Sequence, residues 1–495
     1  ISIHIQILRI CAPCHKLNSL SDAGGITCLQ NLLILAGRKL NEHRNTWPFI
    51  IKHRNMKILL ISPTVDAQSR TNKGLMMPQL ALYILAGLTP PEHEVEVIEE
   101  ETELVDPDQE CNLVGISCMT ANAPRAYELC REFKKRGKTV VLGGVHPTIL
   151  PDEALQYADC VVVGEAEGVW EILIQDFRNN NLKRKYHDPL PDLKKYVPKD
   201  FSKIIKRRLF NLMPVMTTRG CPYDCDFCCV TDLFGKKVRH IPIENIVRDI
   251  QESGAKNFMF LDDNIIGHPK YAKALFRAIK PLKIKWVGQA SVSLLVKDDE
   301  LMQLAAESGC KALFFGVESV SELQMKTMRK AINEIEHLES ALKKIKKAGI
   351  LIHASMVFGF DNDTKETFDE TIRFLIKNKV STASLNILTP YPGTRIYENL
   401  KKENRLITTN WRYYDHNTVV FKPRNMTPYE LQTGKTNAKK KFYSLGSVLK
   451  RIAGNMYNPV LYFAINYGNM KQVKVEAKKI VKLKSELFEN NQAEI

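Results

Sequence analysis

Six short apolar segments alternate with amphipathic segments between residues 211 and 400, and this alternation constrains the fold most strongly. Strands separated by helices predict an α/β fold with a parallel sheet. Six such units are too few to close an eight-stranded barrel. The predicted strands cover residues 213–218, 257–261, 284–289, 312–316, 352–358 and 383–388, and the predicted helices cover 243–253, 270–279, 298–307, 333–348 and 365–377.

Three cysteines lie close together just after the first of these predicted strands. Cys221, Cys225 and Cys228 have the spacing C-x-x-x-C-x-x-C. Three thiolates in one loop can hold three irons of a 4Fe–4S cluster and leave the fourth iron open to a small molecule. Zinc is the alternative metal, but zinc sites usually use cysteine pairs and need a fourth ligand. The adjacent Cys229 lies outside this spacing, and we interpret it as a small structural residue.

With Phe227 before its last cysteine, this loop resembles the signature of the radical S-adenosylmethionine (SAM) superfamily. The resemblance implies that Cys221, Cys225 and Cys228 bind the cluster, and that the open iron binds the amino and carboxylate groups of SAM. It implies a partial (β/α)6 TIM-like barrel, which fits the six predicted units. It also implies an electron donor such as flavodoxin or ferredoxin, because the cluster must be reduced before it cleaves SAM.

Polar residues or glycine follow each predicted barrel strand, and functional residues of parallel α/β barrels lie at these carboxyl ends. Turns favour such residues in any case, so each position alone carries little weight. By the resemblance, Asp262 and Asp263 approach the amino group of SAM. Glu318 and Ser319 approach its ribose or its methionine part. Gln289, at the end of the third predicted strand, completes the predicted SAM-binding set.

A second block of alternating segments, from residue 56 to about 170, predicts a doubly wound, Rossmann-like parallel sheet. Ligands of such sheets bind beyond the carboxyl ends of the strands. No G-x-G-x-x-G motif follows the first strand, so a dinucleotide site is poorly supported. The predicted strands cover residues 57–62, 95–99, 113–117, 139–142 and 160–163, and the predicted helices cover 77–88, 121–136 and 152–157.

The carboxyl ends of these strands resemble cobalamin-binding domains, in which a Ser-x-Leu element and a Gly-Gly element bracket the nucleotide tail of the cofactor. Ser117 fits the first element, and Gly143 and Gly144 fit the second. The predicted cobalamin-binding set also contains Thr120 and His146, with His146 as a loop residue packed near the tail. The alternative is a receiver-like or degenerate Rossmann domain that holds no cofactor.

A histidine ligand for cobalt would be expected in the loop after the first predicted strand. Cobalamin-binding domains usually carry D-x-H-x-x-G there, whereas residues 64–74 contain no histidine. Cobalamin-binding radical SAM enzymes commonly lack this motif too. Residues 390–394, P-Y-P-G-T, are typical of the cobalamin-binding and methylthiotransferase branches of that superfamily. The resemblance therefore implies cobalamin whose cobalt has no histidine as lower ligand.

The sequence predicts five consecutive parts. The sequence starts with Ile1, and a strand-first pattern begins at Met56, so we expect the native chain to start near Met56. We expect the tail to close the barrel mouth, because reactive radicals must be shielded from water. The parts are a non-native or disordered extension (1–55), a cobalamin-binding domain (56–180), a linker (181–208), the radical SAM core (209–400) and a basic, mostly helical C-terminal domain (401–495).

The net charge of +16 over 495 residues fits an anionic partner, such as a membrane surface or nucleic acid, or a solvated lysine face. No segment reaches the roughly 20 apolar residues that span a bilayer. We therefore predict a cytoplasmic protein, with peripheral membrane contact left open. The tail shows no alternating short strands of the kind that form a tRNA-binding β-barrel, which argues against nucleic acid.

Both resemblances together predict a cobalamin-dependent radical SAM enzyme. A radical generated from SAM can remove hydrogen from a strong C–H bond, which no acid–base side chain achieves, and cobalamin can then supply a methyl group. The favoured reaction is methyl transfer to an unactivated carbon of a small or lipid-like molecule, such as an isoprenoid or tetrapyrrole. The alternatives are a cyclase or oxidoreductase with the same cofactors, and a cobalamin or iron–sulfur sensor without turnover.

Overall fold

The computed structural model describes residues 55–65, 78–188, 190–195, 212–321, 324 and 335–489. The chain divides into two compact units, Ile1–Asn55 and Met56–Ile495, and the fold described here is that of the second unit. The predicted N-terminal extension up to residue 54 lies outside the described residues. Most of the loop 64–74, where the cobalt-ligand motif of cobalamin-binding domains usually stands, also lies outside them, since residues 66–77 are not described.

The first sheet has six strands: β1 (Lys57–Ser62), β2 (Glu94–Glu99), β3 (Leu113–Ser117), β4 (Thr139–Gly143), β5 (Cys160–Gly164) and β6 (Lys185–Asp188). All pairs are parallel, and the strand order is β2-β1-β3-β4-β5-β6, as a doubly wound sheet requires. The helices around it are α1 (Leu80–Leu88), α2 (Ala123–Lys135), α3 (Val145–Ile149), α4 (Pro151–Ala154) and α5 (Trp170–Arg178).

The central strands β1, β3 and β4 are apolar at their inner positions because helices cover both faces of the sheet, and their polar residues stand only at the strand ends. In β1, Ile58 and Leu60 belong to one hydrophobic cluster, whereas Leu59 and Ile61 belong to the other. Successive side chains of a strand point to opposite faces, so each cluster marks one face. This packing fixes the carboxyl ends of β1, β3, β4 and β5 at one edge of the sheet, where the larger of the two cavities described below lies.

Strand β6 lies within the stretch predicted as a linker. It pairs with β5 in parallel, from Val161 opposite Lys185 to Gly164 opposite Asp188. In β6 only Tyr186 is buried, so the apolar pattern of a central strand is missing from its sequence. This part of the predicted linker therefore completes the first sheet, while the domain limits themselves remain a prediction.

The second half of the unit contains β7 (Leu212–Val215), β8 (Thr218–Arg219), β9 (Arg239–His240), β10 (Asn257–Phe260), β11 (Lys285–Ala290), β12 (Cys310–Glu318), β13 (Leu351–Phe358) and β14 (Thr382–Ile387). Six of them form a parallel sheet in the order β14-β13-β12-β11-β10-β7, while β8 and β9 form a separate antiparallel pair. Among the described residues, β7 and β14 are the two edge strands and do not pair with each other, so the sheet stays open as a partial barrel does. The surrounding helices are α6 (Val230–Phe234), α7 (Ile243–Glu252), α8 (Pro269–Ile279), α9 (Val292–Lys297), α10 (Asp299–Glu307), α11 (Ile335–Lys347), α12 (Lys365–Lys377) and α13 (Arg395–Lys402).

The tail is mostly helical, as predicted, with α14 (Pro428–Phe442), α15 (Leu445–Ile452) and α16 (Pro459–Leu483). These helices cover the edge strand β14. The hydroxyl of Tyr443 donates to the Ala383 carbonyl at 2.7 Å and accepts from the Ala383 N–H at 3.0 Å. Tyr457 donates to the carbonyl of Ile350, just before β13 begins, at 2.9 Å. α15 and the turn before α16 thus lie near the strand starts, whereas Leu431 of α14 lies against Gly359 at the carboxyl end of β13, so closure of the mouth by the tail stays a prediction.

A buried arginine joins the tail to the barrel. Arg451 is fully buried, and its guanidinium donates to the carbonyls of Val380 (2.9 Å), Ser381 (2.7 Å) and Phe442 (3.0 Å). It also donates to the side-chain oxygen of Asn466 at 3.1 Å and stacks on the Phe442 ring at 3.8 Å. One side chain therefore satisfies the backbone just before β14 and holds α14, α15 and α16 together.

We expect Arg451→Met to lower the free energy of unfolding by about 3 kcal/mol, because several buried carbonyl groups lose their charged donor. Chemical denaturation of the variant would measure this loss. The matched control is Lys450→Met, since Lys450 is the exposed neighbour of Arg451 on the same helix. The control should change stability by less than about 0.5 kcal/mol. Equal effects of the two substitutions would contradict the anchoring role.

Candidate functional site

A cavity of about 180 Å³ lies at the carboxyl ends of the barrel strands, and Cys221, Cys225 and Cys228 line it together. The loop that carries them runs from β8 to α6. The Cys228 N–H donates to the Cys225 carbonyl at 3.1 Å, which closes the loop into a tight turn. The sequence spacing therefore places three thiols on one wall of a single cavity.

The chemistry of these thiols fits a cluster. Burial, with smaller contributions from the neighbouring cysteine thiols, raises the pKa of Cys228 to about 12. Such a thiol becomes a thiolate at neutral pH only when a strong positive charge, such as bound iron, lies beside it. Among the described residues, no three thiol, imidazole or carboxylate groups converge tightly enough for a single metal ion. A 4Fe–4S cluster offers each of three thiolates its own iron, and the three thiols that line this cavity can supply them.

Cys229 differs from the other three cysteines because it does not line this cavity. It precedes the first residue of α6. Burial raises the pKa of its thiol, and Asp263 and Asp232 raise it further. The structure thus separates Cys229 from the three cysteines of the motif, although all four lie within nine residues of one another.

Three of the five predicted SAM-binding residues line the cavity, namely Asp263, Gln289 and Glu318. Burial, and then the charge of the neighbouring Asp262, raises the pKa of Asp263 to about 6. Glu318 has a φ of +65°, a left-handed conformation that a residue with a side chain adopts only under constraint from its surroundings. Ser319 does not line the cavity, and its hydroxyl accepts from the Ser321 N–H at 3.0 Å.

Asp262 also lies outside the cavity lining, and it holds the approach to the cysteine loop instead. Its carboxylate is buried and accepts from the Thr217 N–H at 3.1 Å and from the hydroxyls of Thr217 (2.7 Å) and Thr218 (2.6 Å). It also accepts from the Thr218 N–H. These bonds explain why the predicted strand 213–218 is interrupted after β7, and they position the chain just before Arg219.

Sequence reasoning missed several polar residues that line the same cavity. Asn264 and Ser291 bond twice: the Ser291 N–H donates to the Asn264 side-chain oxygen at 3.2 Å, and the Asn264 amide donates to the Ser291 hydroxyl at 3.2 Å. Tyr223 and Ser293 also line the cavity. Asn264 follows directly after the two aspartates, so its place at a strand end was the available signal.

A larger cavity of about 440 Å³ lies at the carboxyl ends of the first sheet, and Ser117, Gly143 and Gly144 line it. Gly144 has a φ of +98°, and a Cβ there would lie 2.6 Å from the carbonyl oxygen of Cys118. Only glycine fits such a position. The Gly-Gly element therefore keeps this wall open, as binding of a large ligand at the strand ends requires.

The structure places the side chains of Thr120 and His146 outside this cavity. His146 is fully buried, with its Nδ1 3.4 Å from the Thr120 hydroxyl and its Nε2 3.3 Å from the Glu153 carboxylate. The same carboxylate accepts from the indole N–H of Trp411 at 3.0 Å. His146 thus belongs to a packed polar cluster between the first sheet and the tail, and this geometry does not support the predicted cobalamin contact of Thr120 and His146.

A largely buried cluster of four charged residues lies between the larger cavity and the start of the cysteine loop. Glu165 and Glu167 follow β5, line the larger cavity, and both form ion pairs with Arg219, two residues before Cys221. Arg239 also pairs with Glu165 and donates to the Pro191 carbonyl at 3.0 Å. Burial would raise the pKa of Glu167, but the Arg219 guanidinium holds that pKa below its usual value. Sequence reasoning did not select this cluster, because its partners are far apart along the chain.

Below the cysteine cavity, one wall of the barrel is polar. His353 lies between two hydroxyls of β14, with its Nδ1 2.9 Å from Thr382 and its Nε2 2.8 Å from Ser384. Its ring also packs against Phe314 at 4.6 Å between centroids. In the register of β12 and β13, Phe314 lies opposite His353 and Gly316 lies opposite Ser355. These four residues therefore share one face of the sheet. Gly316 lines the cysteine cavity, so this face leads to it.

We expect His353 to make stability depend on pH. Burial lowers the pKa of His353 to about 4. In the unfolded chain a histidine binds a proton near pH 6.5, so protonation favours unfolding as the pH falls below about 6.5. The full stabilisation is present above that pH and declines toward pH 4, by up to about 1.4 kcal/mol per pH unit.

Denaturation of His353→Asn between pH 7 and pH 4, compared with the unaltered protein, would test this dependence. The variant should have a shallower decline of unfolding free energy over this range. His187→Asn is the matched control, because His187 is exposed on β6. The expectation fails if His353→Asn and His187→Asn keep the same pH dependence as the unaltered protein.

Comparison with known proteins finds a matching family for each of the two parts of the chain that carry the cavities. Residues 215–375 match the family model of the radical SAM superfamily, and residues 74–174 match that of the B12 binding domain. The chain is 30% identical over 419 residues to the bacteriochlorophyllide d C-12(1)-methyltransferase of Chlorobaculum tepidum, covering 82% of this chain and 91% of that relative. It is 31% identical over 400 residues to the C-8(2)-methyltransferase of the same organism, covering 77% and 88%.

A solved structure has the same fold. The radical SAM methyltransferase TsrM from Kitasatospora setae, with cobalamin and a [4Fe-4S] cluster bound, superimposes with a TM-score of 0.61 at 15% sequence identity. The match covers 78% of this chain and 88% of that one. The predicted fold class, a doubly wound N-terminal domain followed by a partial barrel and C-terminal helices, is thereby confirmed.

Proposed function

Because this chain belongs to the cobalamin-dependent radical SAM methyltransferases, we propose that it methylates an unactivated carbon of a tetrapyrrole. The chain is an enzyme of this kind, and its cofactors are a 4Fe–4S cluster, SAM and cobalamin. When bound, the reduced cluster supplies the electron that cleaves SAM, and cobalamin supplies the methyl group.

The observation that carries the proposal is the pair of cavities joined through Arg219. Its side chain lines the larger cavity, and two residues further along the chain Cys221 lines the smaller one. The carboxyl ends of the first sheet and of the barrel therefore meet at one short segment. Methyl transfer needs a methyl donor and a radical generator near the same substrate carbon, which this arrangement supports.

We assign roles to the residues accordingly. Cys221, Cys225 and Cys228 would hold the cluster. The carboxylates of Asp263 and Glu318 and the amide of Gln289 line the cavity beside them and would bind the polar parts of SAM. Ser117, Gly143 and Gly144 would border the cobalamin tail. Asp262 and Ser319, which lie outside the lining, would act as positioning residues.

The substrate class rests on the two relatives of Chlorobaculum tepidum, whose names place them on a bacteriochlorophyllide, which is a tetrapyrrole. The matched regions cover 91% and 88% of the lengths of these two relatives, so the similarity includes the regions around both cavities. The polar barrel wall with His353, Ser355 and Ser384 would face such a substrate and could hydrogen-bond to its carbonyl or carboxylate groups. A one-electron donor such as flavodoxin or ferredoxin would reduce the cluster.

The test is turnover of the anaerobically reconstituted holoenzyme with a bacteriochlorophyllide and SAM that carries a deuterated methyl group. Methyl transfer should give 5′-deoxyadenosine, S-adenosylhomocysteine and a product that carries the labelled methyl group. The control reaction omits the tetrapyrrole and should give little 5′-deoxyadenosine.

Three results would contradict the proposal in different ways. A product without the label, formed together with 5′-deoxyadenosine, would support the cyclase or oxidoreductase alternative. Cofactor binding without any SAM cleavage would support a sensor. Methylation of an isoprenoid lipid but of no tetrapyrrole would keep the reaction and overturn the substrate class.

A further inference from the structure

We propose that the outward surface of α15 and α16 binds an anionic membrane surface. This inference does not rest on the proposed function, since it concerns a part of the molecule away from both cavities. Large apolar side chains are exposed there, including Leu445 (62%), Met456 (64%) and Val460 (82%). We call the set the tail surface, and its members are Leu445, Leu449, Met456, Val460, Phe463 and Tyr467.

The tail surface faces away from the core because the opposite side of α16 is already packed. Tyr462, Asn466 and Val473 are the buried residues of this helix. The Tyr462 hydroxyl donates to the carbonyl of Val448 on α15 at 2.7 Å, which fixes the two helices side by side. Positions 460, 463 and 467 follow helical spacing and lie on the opposite stripe, so all three remain exposed.

The same stripe continues as a row of lysines. Lys471, Lys474 and Lys478 follow Tyr467 at intervals of three or four residues, and all three are exposed. Among the described residues no ion pair involves them, and the Lys471 ammonium lies 4.5 Å from the centroid of the Tyr467 ring. The acidic residue within α16, Glu476, is turned inward, where it pairs with Lys439 at 2.6 Å and Lys435 at 3.2 Å.

An anionic lipid surface is the partner that this combination fits. Helices that lie in a membrane interface carry apolar and aromatic residues next to lysines, and anionic headgroups attract the lysines. Surfaces that bind another protein are depleted in lysine, which argues against a second copy of the chain. No helix in the described part of the chain is long and apolar enough to cross a bilayer, so the contact would be peripheral.

The position of the tail surface is compatible with activity. Tyr457, in the turn between α15 and α16, bonds to the carbonyl of Ile350 at the start of β13. The cysteine cavity lies at the other, carboxyl ends of the barrel strands. Contact with a bilayer through the tail surface would therefore leave the barrel mouth uncovered.

The experiment is flotation of the anaerobic holoenzyme with vesicles. One set contains phosphatidylcholine mixed with phosphatidylglycerol, and the other contains phosphatidylcholine alone. The unaltered protein should bind the anionic vesicles and release them as salt rises. A triple variant, Val460→Ser, Phe463→Ser and Tyr467→Ser, should bind at least about tenfold more weakly, because three apolar side chains no longer enter the interface.

Two further variants separate the contributions. Changing Lys471, Lys474 and Lys478 to Gln should abolish the preference for anionic vesicles. Leu104→Ser is the control, since Leu104 is exposed (69%) in the segment after β2, away from the tail, and its substitution should leave binding unchanged. Unaltered visible absorbance of both cofactors would show that each variant is folded.

The proposal is overturned if the unaltered protein does not float with anionic vesicles, or if the triple variant floats as well as it does. A dimer in solution that the triple variant converts to a monomer, without vesicle binding, would show that a second copy covers the tail surface. Turnover is measured separately on each variant without vesicles, so failure of this proposal and failure of the proposed function are distinguishable.

Discussion

Replacing any one of Cys221, Cys225 or Cys228 by alanine is expected to abolish both the iron–sulfur absorbance and SAM cleavage. Each thiol lines the same cavity, and each would hold one iron, so no remaining thiol of the motif can take its place. Iron and sulfide content of the anaerobic protein, with quantitation of 5′-deoxyadenosine, would measure the loss. We expect less than about one hundredth of the activity of the unaltered protein, equivalent to more than about 2.7 kcal/mol in the barrier.

Cys229→Ala is the matched control for this prediction. Its thiol is adjacent in sequence to Cys228 but does not line the cavity. The variant should keep its iron content and its SAM cleavage. Loss of iron from Cys229→Ala, together with full iron in one of the other three variants, would show that the ligand assignment is wrong.

The second large effect is expected from Arg219→Met. Arg219 is buried and pairs with both Glu165 and Glu167, and Arg239 can replace it only at Glu165. The substitution leaves the Glu167 carboxylate buried without its guanidinium. Breaking a buried ion pair from one side costs about 3–5 kcal/mol. Chemical denaturation should show this loss, and the variant should retain less cobalamin, because Glu165 and Glu167 line the larger cavity.

Two variants test whether charge is the cause. The double variant Arg219→Met with Glu167→Gln should recover part of the lost stability, since the unpaired charge is removed. Lys236→Met breaks an exposed ion pair with Asp224, 2.9 Å long, and should cost less than about 1 kcal/mol. If Arg219→Met were no more damaging than Lys236→Met, the buried cluster would not connect the two halves of the enzyme as we infer.

The ion pair between Arg219 and Glu167 also predicts how stability changes with pH: its contribution should be lost in acid. Arg219 holds the pKa of Glu167 below its usual value against the effect of burial, so the ion pair stabilises the fold above the pKa of an unfolded glutamate, about 4.3. That stabilisation is lost as the pH falls through the folded pKa. The difference in stability between the unaltered protein and Arg219→Met should therefore be largest near neutral pH and shrink in acid.

Local patterns in the sequence determined the elements of the fold and the identity of the cluster loop. The predicted strands 57–62 and 113–117 and the helix 365–377 have the observed limits, because apolar periodicity expresses burial within a single element. The cysteine spacing is also local, and it brings the three thiols to one cavity. Strand β6 escaped prediction because an edge strand with one buried residue carries almost no such pattern.

Tertiary structure decided which polar residues reach a cavity. Asp262 and Asp263 are adjacent, yet one holds Thr217 and Thr218 while the other lines the cavity, because successive residues at a strand end point in different directions. The His146 ring points inward to the carboxylate of Glu153. The same carboxylate accepts a hydrogen bond from Trp411, which is 258 residues further along the chain.

The tail shows the same limit of sequence reasoning. Its mostly helical character was predicted, whereas the position of its helices along β14 depends on Arg451 and its carbonyl partners about 70 residues earlier in the chain. Likewise, Arg219 and Glu165 are 54 residues apart and carry no shared motif. Spacing and periodicity report only on neighbours within an element, so the sequence by itself determined the elements and the cofactor loop. The pairing of distant charges and the direction of each side chain were decided by how those elements pack.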